Sequence, residues 1–146
     1  MTTIPGLRLM EHAGFAYGKP PIIIVEDDDA VRASLVTLAE LRGWNVTAFA
    51  SALEFLDWSE EAEVRPACLV IDLQMPEMNG AELAEWLQSH NRNIPTLALT
   101  AWPDGDLAHR ASSAGVSKVM SKPITPSEWI RAVEQVCTLQ PGPRMQ

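Results

Sequence analysis

A chain of 146 residues has room for one domain with a substantial core and short flanking arms. Its content of 47% hydrophobic and 21% charged residues is that of a soluble globular protein and excludes a mostly disordered chain. The formal net charge of −8 makes phosphate backbones and anionic lipid poor partners, and two cysteines are too few for a disulfide framework.

Residues 1 to 20 have no clear period, and Pro5, Gly6, Gly14, Gly18 and Pro20 interrupt any helix there. We read them as an arm outside the domain. Its apolar residues, among them Ile4, Leu7, Phe15 and Tyr17, leave three alternatives open: a free tail, docking on its own domain, or a homodimer in which the arm embraces a second copy. The arm lacks the basic, apolar and small-residue order of a secretory signal, and no apolar run approaches a membrane span, so a cytoplasmic location is expected.

The domain, residues 21–138, begins with the β-branched strand Ile22 to Val25 and four acids, Glu26 to Asp29. Val31, Leu35, Leu38 and Leu41 mark a helix stopped by Gly43, and Val46 to Phe49 is a weaker strand. Ser51 and Glu54 predict a capping box for a short helix carrying Leu53 and Leu56. Cys68 to Ile71 is an apolar strand ending in Asp72, and Pro76 and Gly80 bound the turn after it. Leu83 and Leu87 lie on a third helix ending near His90, Thr96 to Thr100 is a strand, and Leu107, Ala108 and Ala111 lie on a fourth helix ending near Gly115. Val116 to Met120 is a fifth strand, followed by Ser121-Lys122-Pro123. Thr125, Pro126 and Glu128 open the last helix, whose apolar stripe is Trp129, Ile130, Val133 and Val136. Cys68 and Cys137 are read as buried or incidental thiols and residues 139–146 as a tail.

Five strands alternating with five helices predict an α/β fold, a doubly wound parallel sheet with helices on both faces. Four strand ends then deliver polar groups to one crevice: Glu26 and Asp27, Asp72, Thr100 and Lys122. Singly, each has an ordinary explanation as a helix cap, a strand-end hydroxyl or a solvated charge. Jointly, at matching ends, they make a site. Three close carboxylates repel one another by about 1 to 4 kcal/mol per pair at 4 Å, and a divalent cation with oxygen ligands removes the conflict. Mg²⁺ is the expected ion. Lys122 and Thr100 supply a cation and a hydroxyl for a phosphoryl group carried by Asp72.

The ordered set Ile-Val-Glu26-Asp27-Asp28, Val-Ile-Asp72-Leu-Gln-Met-Pro76-Glu-Met-Asn-Gly80, Leu-Thr100-Ala101, Ala-Gly115 and Ser-Lys122-Pro123 resembles the receiver domain of two-component response regulators, the CheY-like superfamily. The resemblance covers about residues 20 to 138 and implies a flavodoxin-like three-layer α/β/α fold with strand order 2-1-3-4-5. It implies Asp72 as the residue phosphorylated by a sensor histidine kinase, and Glu26, Asp27, Asp72 and the backbone carbonyl of Gln74 as Mg²⁺ ligands. By the same resemblance Thr100 would move toward the phosphoryl group, Ala101 would leave it room, and Lys122 would pair with it. Val119 departs from the Tyr or Phe that many members use as an aromatic switch, which leaves Trp129 or Trp102 as substitutes. Trp102 is further expected to shield the acyl phosphate from water.

The implied role is a single-domain regulator, not a turnover enzyme, that signals to a downstream protein target or passes its phosphoryl group to a histidine phosphotransfer protein. An aspartyl phosphohydrolase of the haloacid dehalogenase type would need a second Asp where Gln74 stands. A flavodoxin-like nucleotide binder would need a Gly/Ser/Thr-rich loop where the four acids stand. The remaining alternative is a phosphorylation-independent interaction module on a receiver scaffold.

Overall fold

Three runs rich in β-branched and aliphatic residues, buried on both faces, form the central strands of one parallel sheet. The computed structural model describes residues 20–62 and 65–138. In chain order the elements are β1 (Ile22–Val25), α1 (Asp29–Leu41), β2 (Val46–Phe49), α2 (Ala52–Glu61), β3 (Cys68–Asp72), α3 (Gly80–Ser89), β4 (Thr96–Thr100), α4 (Asp106–Ser113), β5 (Lys118–Ser121) and α5 (Pro126–Thr138). The strand order is β2-β1-β3-β4-β5, all parallel, as the sequence reading expects. The expectations for the arm, the tail and an arm-mediated homodimer fall on residues 1–19 and 139–146, outside the described residues.

Alternation along each strand divides the core between the two faces. Ile23, Val25, Leu69, Ile71 and Ala98 pack with residues of α2, α3 and α4 such as Phe55, Leu83 and Ala108. Ile22, Ile24, Val70, Leu97 and Leu99 pack with Leu35 and Ala39 of α1 and with Trp129 and Val133 of α5. Each large side chain so buried contributes about 1.5–3 kcal/mol relative to exposure. Among the described residues no helix is long and apolar enough to cross a membrane.

Helix starts are fixed by local polar groups. Asp28 caps α1 by accepting from the Val31 N–H at 3.0 Å, and Thr125 and Glu128 exchange bonds at the start of α5. Ser51 accepts from the Glu54 N–H at 3.1 Å, but the Glu54 carboxylate reaches back to the Ala50 N–H, one residue before the expected partner. Asn79 and Glu82 form a full reciprocal box at the head of α3. The N-x-x-E spacing that marks such a box is present in the sequence at Asn79 and Glu82.

Three details differ from expectation. β5 starts at Lys118 instead of Val116, because Gly115 takes φ 94° and the Val116 N–H returns to the Ala111 carbonyl to close α4. Strand pairing there begins only at Ser117, whose N–H donates to the Thr96 carbonyl. Leu41, placed on the apolar stripe of α1, is 77% exposed, since the sheet-facing positions are Leu35 and Ala39. Leu53 is likewise exposed, and Ala52, Phe55 and Leu56 carry the packing of α2. Cys68, buried, and Cys137, half-buried, are free thiols.

Candidate functional site

Asp72 closes β3 at the carboxyl edge of the sheet, with β1 on one side and β4 on the other. The sheet order reverses between β1 and β3, the place where open α/β sheets leave a crevice. Its residue exposure is only 4%, yet its Oδ1 lies 3.2 Å from the Lys122 ammonium and 3.4 Å from the Gln74 N–H. The strand end is backed by α3: a Cβ on Gly80 would stand 2.5 Å from the Asp72 carbonyl oxygen, so only glycine lets the helix approach this closely.

Glu26 follows β1 and is buried to 2% exposure. Its Oε2 accepts from the Asp28 N–H at 3.1 Å, whereas Oε1 has no hydrogen-bond partner and lies 3.6 Å from the Lys122 ammonium. Burial first, and the charge of Asp72 second, raise its carboxyl to about 7, against the lowering effects of the Asp28 N–H and Lys122. Arg32 of α1 donates to the Glu26 carbonyl at 2.9 Å and to Asp29 at 2.6 Å, so the loop carrying the acids is tied to the helix it precedes.

Exposed Asp27 completes the cluster: Glu26, Asp27 and Asp72 each offer an oxygen within 4.8 Å of the others. An unpartnered buried carboxylate oxygen among three acids and one lysine fits a hard divalent cation, which would supply the missing positive charge. The donor set is all oxygen, with no His or Cys, which favours Mg²⁺ over zinc.

Thr100, fully buried, ends β4, the strand paired with β3. Its hydroxyl donates to the Gln74 side-chain oxygen at 3.1 Å and accepts from the Trp102 N–H at 3.0 Å. The Lys122 N–H donates to the Thr100 carbonyl at 2.8 Å, which ties the lysine to the threonine's strand, and the Lys122–Pro123 peptide bond is cis.

Glu26, Asp27, Asp72 and Lys122 therefore lie together, and Thr100 is joined to them through Gln74. Two participants escape the sequence reading: the side chain of Gln74, counted there for its carbonyl alone, and Arg32. Spacing offers no signal for the Gln74 contact, since it joins positions 26 residues apart.

Of the groups considered as readouts, Val119 is half-buried, Trp129 is buried beside Trp44, and Trp102 is 63% exposed. Next to Lys122, an apolar cleft of about 540 Å³ opens between α1 and the segment leading into α5, lined by Val31, Leu38, Ile124 and Trp129 among others.

Comparison with known proteins gives a consistent result. The family model of the response regulator receiver domain matches residues 22–134. The transcriptional regulatory protein FixJ of Azorhizobium caulinodans is 34% identical over 113 residues, which cover 77% of this chain and 53% of that protein. The polar-differentiation response regulator DivK of Brucella anthropi is 30% identical over 115 residues, covering 77% of this chain and 92% of that one. The crystal structure of FixJ-N superposes with a TM-score of 0.75 at 33% identity, over 82% of this chain and 94% of the other. The chain spans about half the length of the FixJ and TodT proteins that it matches.

Proposed function

The chain belongs to the response regulator receiver domain family, and on that premise we propose that it accepts a phosphoryl group on Asp72 from a sensor histidine kinase and signals through protein partners. The observation that carries this reading is the Asp72 carboxylate, buried at a strand end, 3.2 Å from Lys122 and ringed by two further acids. A buried acid with one cation beside it and a hydroxyl across the crevice is arranged for a group that arrives with its own negative charge. The receiver unit proposed spans residues 21–138.

In the proposed step a carboxylate oxygen of Asp72 attacks phosphorus and the bond from phosphorus to the donor's imidazole nitrogen breaks, leaving the donor imidazole to take up a proton. Glu26, Asp27, Asp72 and the Gln74 carbonyl would hold Mg²⁺, which when bound neutralises the phosphoryl oxygens. Lys122 would move its ion pair from the carboxylate to the phosphoryl group. Thr100 would then donate to a phosphoryl oxygen. The apolar cleft beside Lys122 supports a protein as donor or acceptor, because it offers a dry surface next to the reacting carboxylate. A downstream target and a histidine phosphotransfer protein both fit that surface.

Intact mass after incubation with acetyl phosphate and Mg²⁺ tests the reading. The expected result is one phosphoryl adduct that needs the metal and is absent in Asp72→Asn. A folded wild-type protein that takes no adduct would replace this reading with the phosphorylation-independent interaction module.

A further inference from the structure

The Thr100 hydroxyl has one proton, and in this structure that proton is given to Gln74. It sits in a chain in which the Trp102 N–H donates to Thr100 Oγ1 and Thr100 Oγ1 donates to Gln74 Oε1, at 3.0 and 3.1 Å. Thr100 is fully buried, so no water competes for the bond from the threonine side. Gln74 is half-buried, and its backbone N–H points at Asp72 Oδ1, 3.4 Å away. One residue thus touches the carboxylate with its main chain and accepts the threonine's proton with its side chain.

We infer that the Gln74 side chain is a latch: it holds the Thr100 hydroxyl away from Asp72 and competes for it with any phosphoryl oxygen bound there. Gln74 is a positioning residue in this account, acting through Thr100. The inference rests on the phosphoacceptor reading of Asp72 and adds to it a barrier set by this chain's own residue. Because a hydroxyl donates one hydrogen bond at a time, a phosphoryl oxygen gains the Thr100 proton only when the bond to Gln74 Oε1 breaks. The bond from the Trp102 N–H uses the lone pairs of Thr100 Oγ1 and need not break. Loading of Asp72 therefore carries the loss of one neutral hydrogen bond, and removing the amide oxygen removes that loss.

The test is affinity for beryllium fluoride, a non-covalent phosphoryl mimic, in the presence of Mg²⁺, followed by intrinsic tryptophan fluorescence in wild type, Gln74→Met, Thr100→Ala and the double variant. Methionine keeps the unbranched length and discards the amide, and the backbone carbonyl is retained. Gln74→Asn, whose shorter arm cannot span the distance, gives a second route to the same release, and thermal melts establish that each variant is folded.

Gln74→Met is expected to bind the mimic about fivefold more tightly than wild type, the order set by one net neutral hydrogen bond, and the gain should vanish in the Thr100→Ala background. Unchanged or weaker binding in both Gln74 variants would overturn the latch, and so would a gain that survives without the threonine. If wild type binds no mimic and takes no phosphoryl group from acetyl phosphate, the phosphoacceptor reading itself falls, and the latch with it.

Discussion

Leu69, Val70, Ile71 and Asp72 are consecutive on β3, and all are at most 4% exposed, yet the first three and the last answer to opposite physics. The aliphatic residues leave water and gain, each filling space between the sheet and its helices. Asp72 leaves water at a cost that one ammonium at 3.2 Å offsets only in part, with Glu26 buried beside it and one Glu26 oxygen unpartnered. The interior of the strand is wholly apolar, whereas its end gathers three carboxylates around one ammonium. That difference teaches that burial alone does not mark a core: Glu26 and Asp72 are nearly as buried as the aliphatic residues, and in such surroundings charges act on one another more strongly than in water.

The largest effect is expected in the interior of the strand. Ile71→Ala, at a fully buried position, should lower stability by about 2–5 kcal/mol in urea unfolding, through lost transfer energy plus the cavity. A cost below about 1 kcal/mol would mean that the interior tolerates loss as the edge does.

Glu26→Gln sharpens the same contrast from the other side. The Glu26 carboxyl stands at about 7 in the folded protein against 4.5 ordinarily, so between those values the native state binds more protons than the unfolded one. Stability therefore falls as pH rises through this window, and the cost of the buried charge is fully present above about 7. Without metal, Glu26→Gln should melt higher than wild type at pH 8 by about 3–6 °C, with the gap closing at pH 5. Addition of Mg²⁺ should raise the wild-type melting temperature more than that of the variant. A gap equal at both pH values would remove the charge of Glu26 as its source.

The smallest effect is expected at the surface. Arg110 and Glu85 join α4 to α3 through bonds of 2.9 and 2.6 Å, and both side chains remain accessible to water. Arg110→Ala should leave the denaturant midpoint within its scatter, because solvent screens the pair and each side chain gives up freedom to form it. A clear loss of stability would show that short ionic contacts on this rim count as heavily as charges at the sheet edge.

Much of this molecule was legible in the chain. The alternation of β-branched runs with amphipathic segments specified the fold, and the acids after β1 and at the end of β3, the threonine ending β4 and the lysine after β5 marked the candidate site, because strand ends in such a sheet share one edge. The first turn of α5 was readable from Thr125, Pro126 and Glu128 for the same local reason. Where β5 begins was not readable, since that depended on Val116 turning back to close α4 before pairing with β4 started. Leu41 misled for a related reason: helical spacing gives the stripe, but which edge of it meets the sheet is set by how the helix is rolled on its neighbours.

Periodicity, capping and chain order, all written along the chain, set which elements form and bring these carboxylates, hydroxyl and ammonium to one edge of the sheet. The electrostatic state of Glu26 and the partner of the Thr100 hydroxyl come from packing alone. A carboxyl's proton affinity depends on how dry its surroundings are and which charges face it, and a hydroxyl chooses among groups brought near from distant parts of the chain.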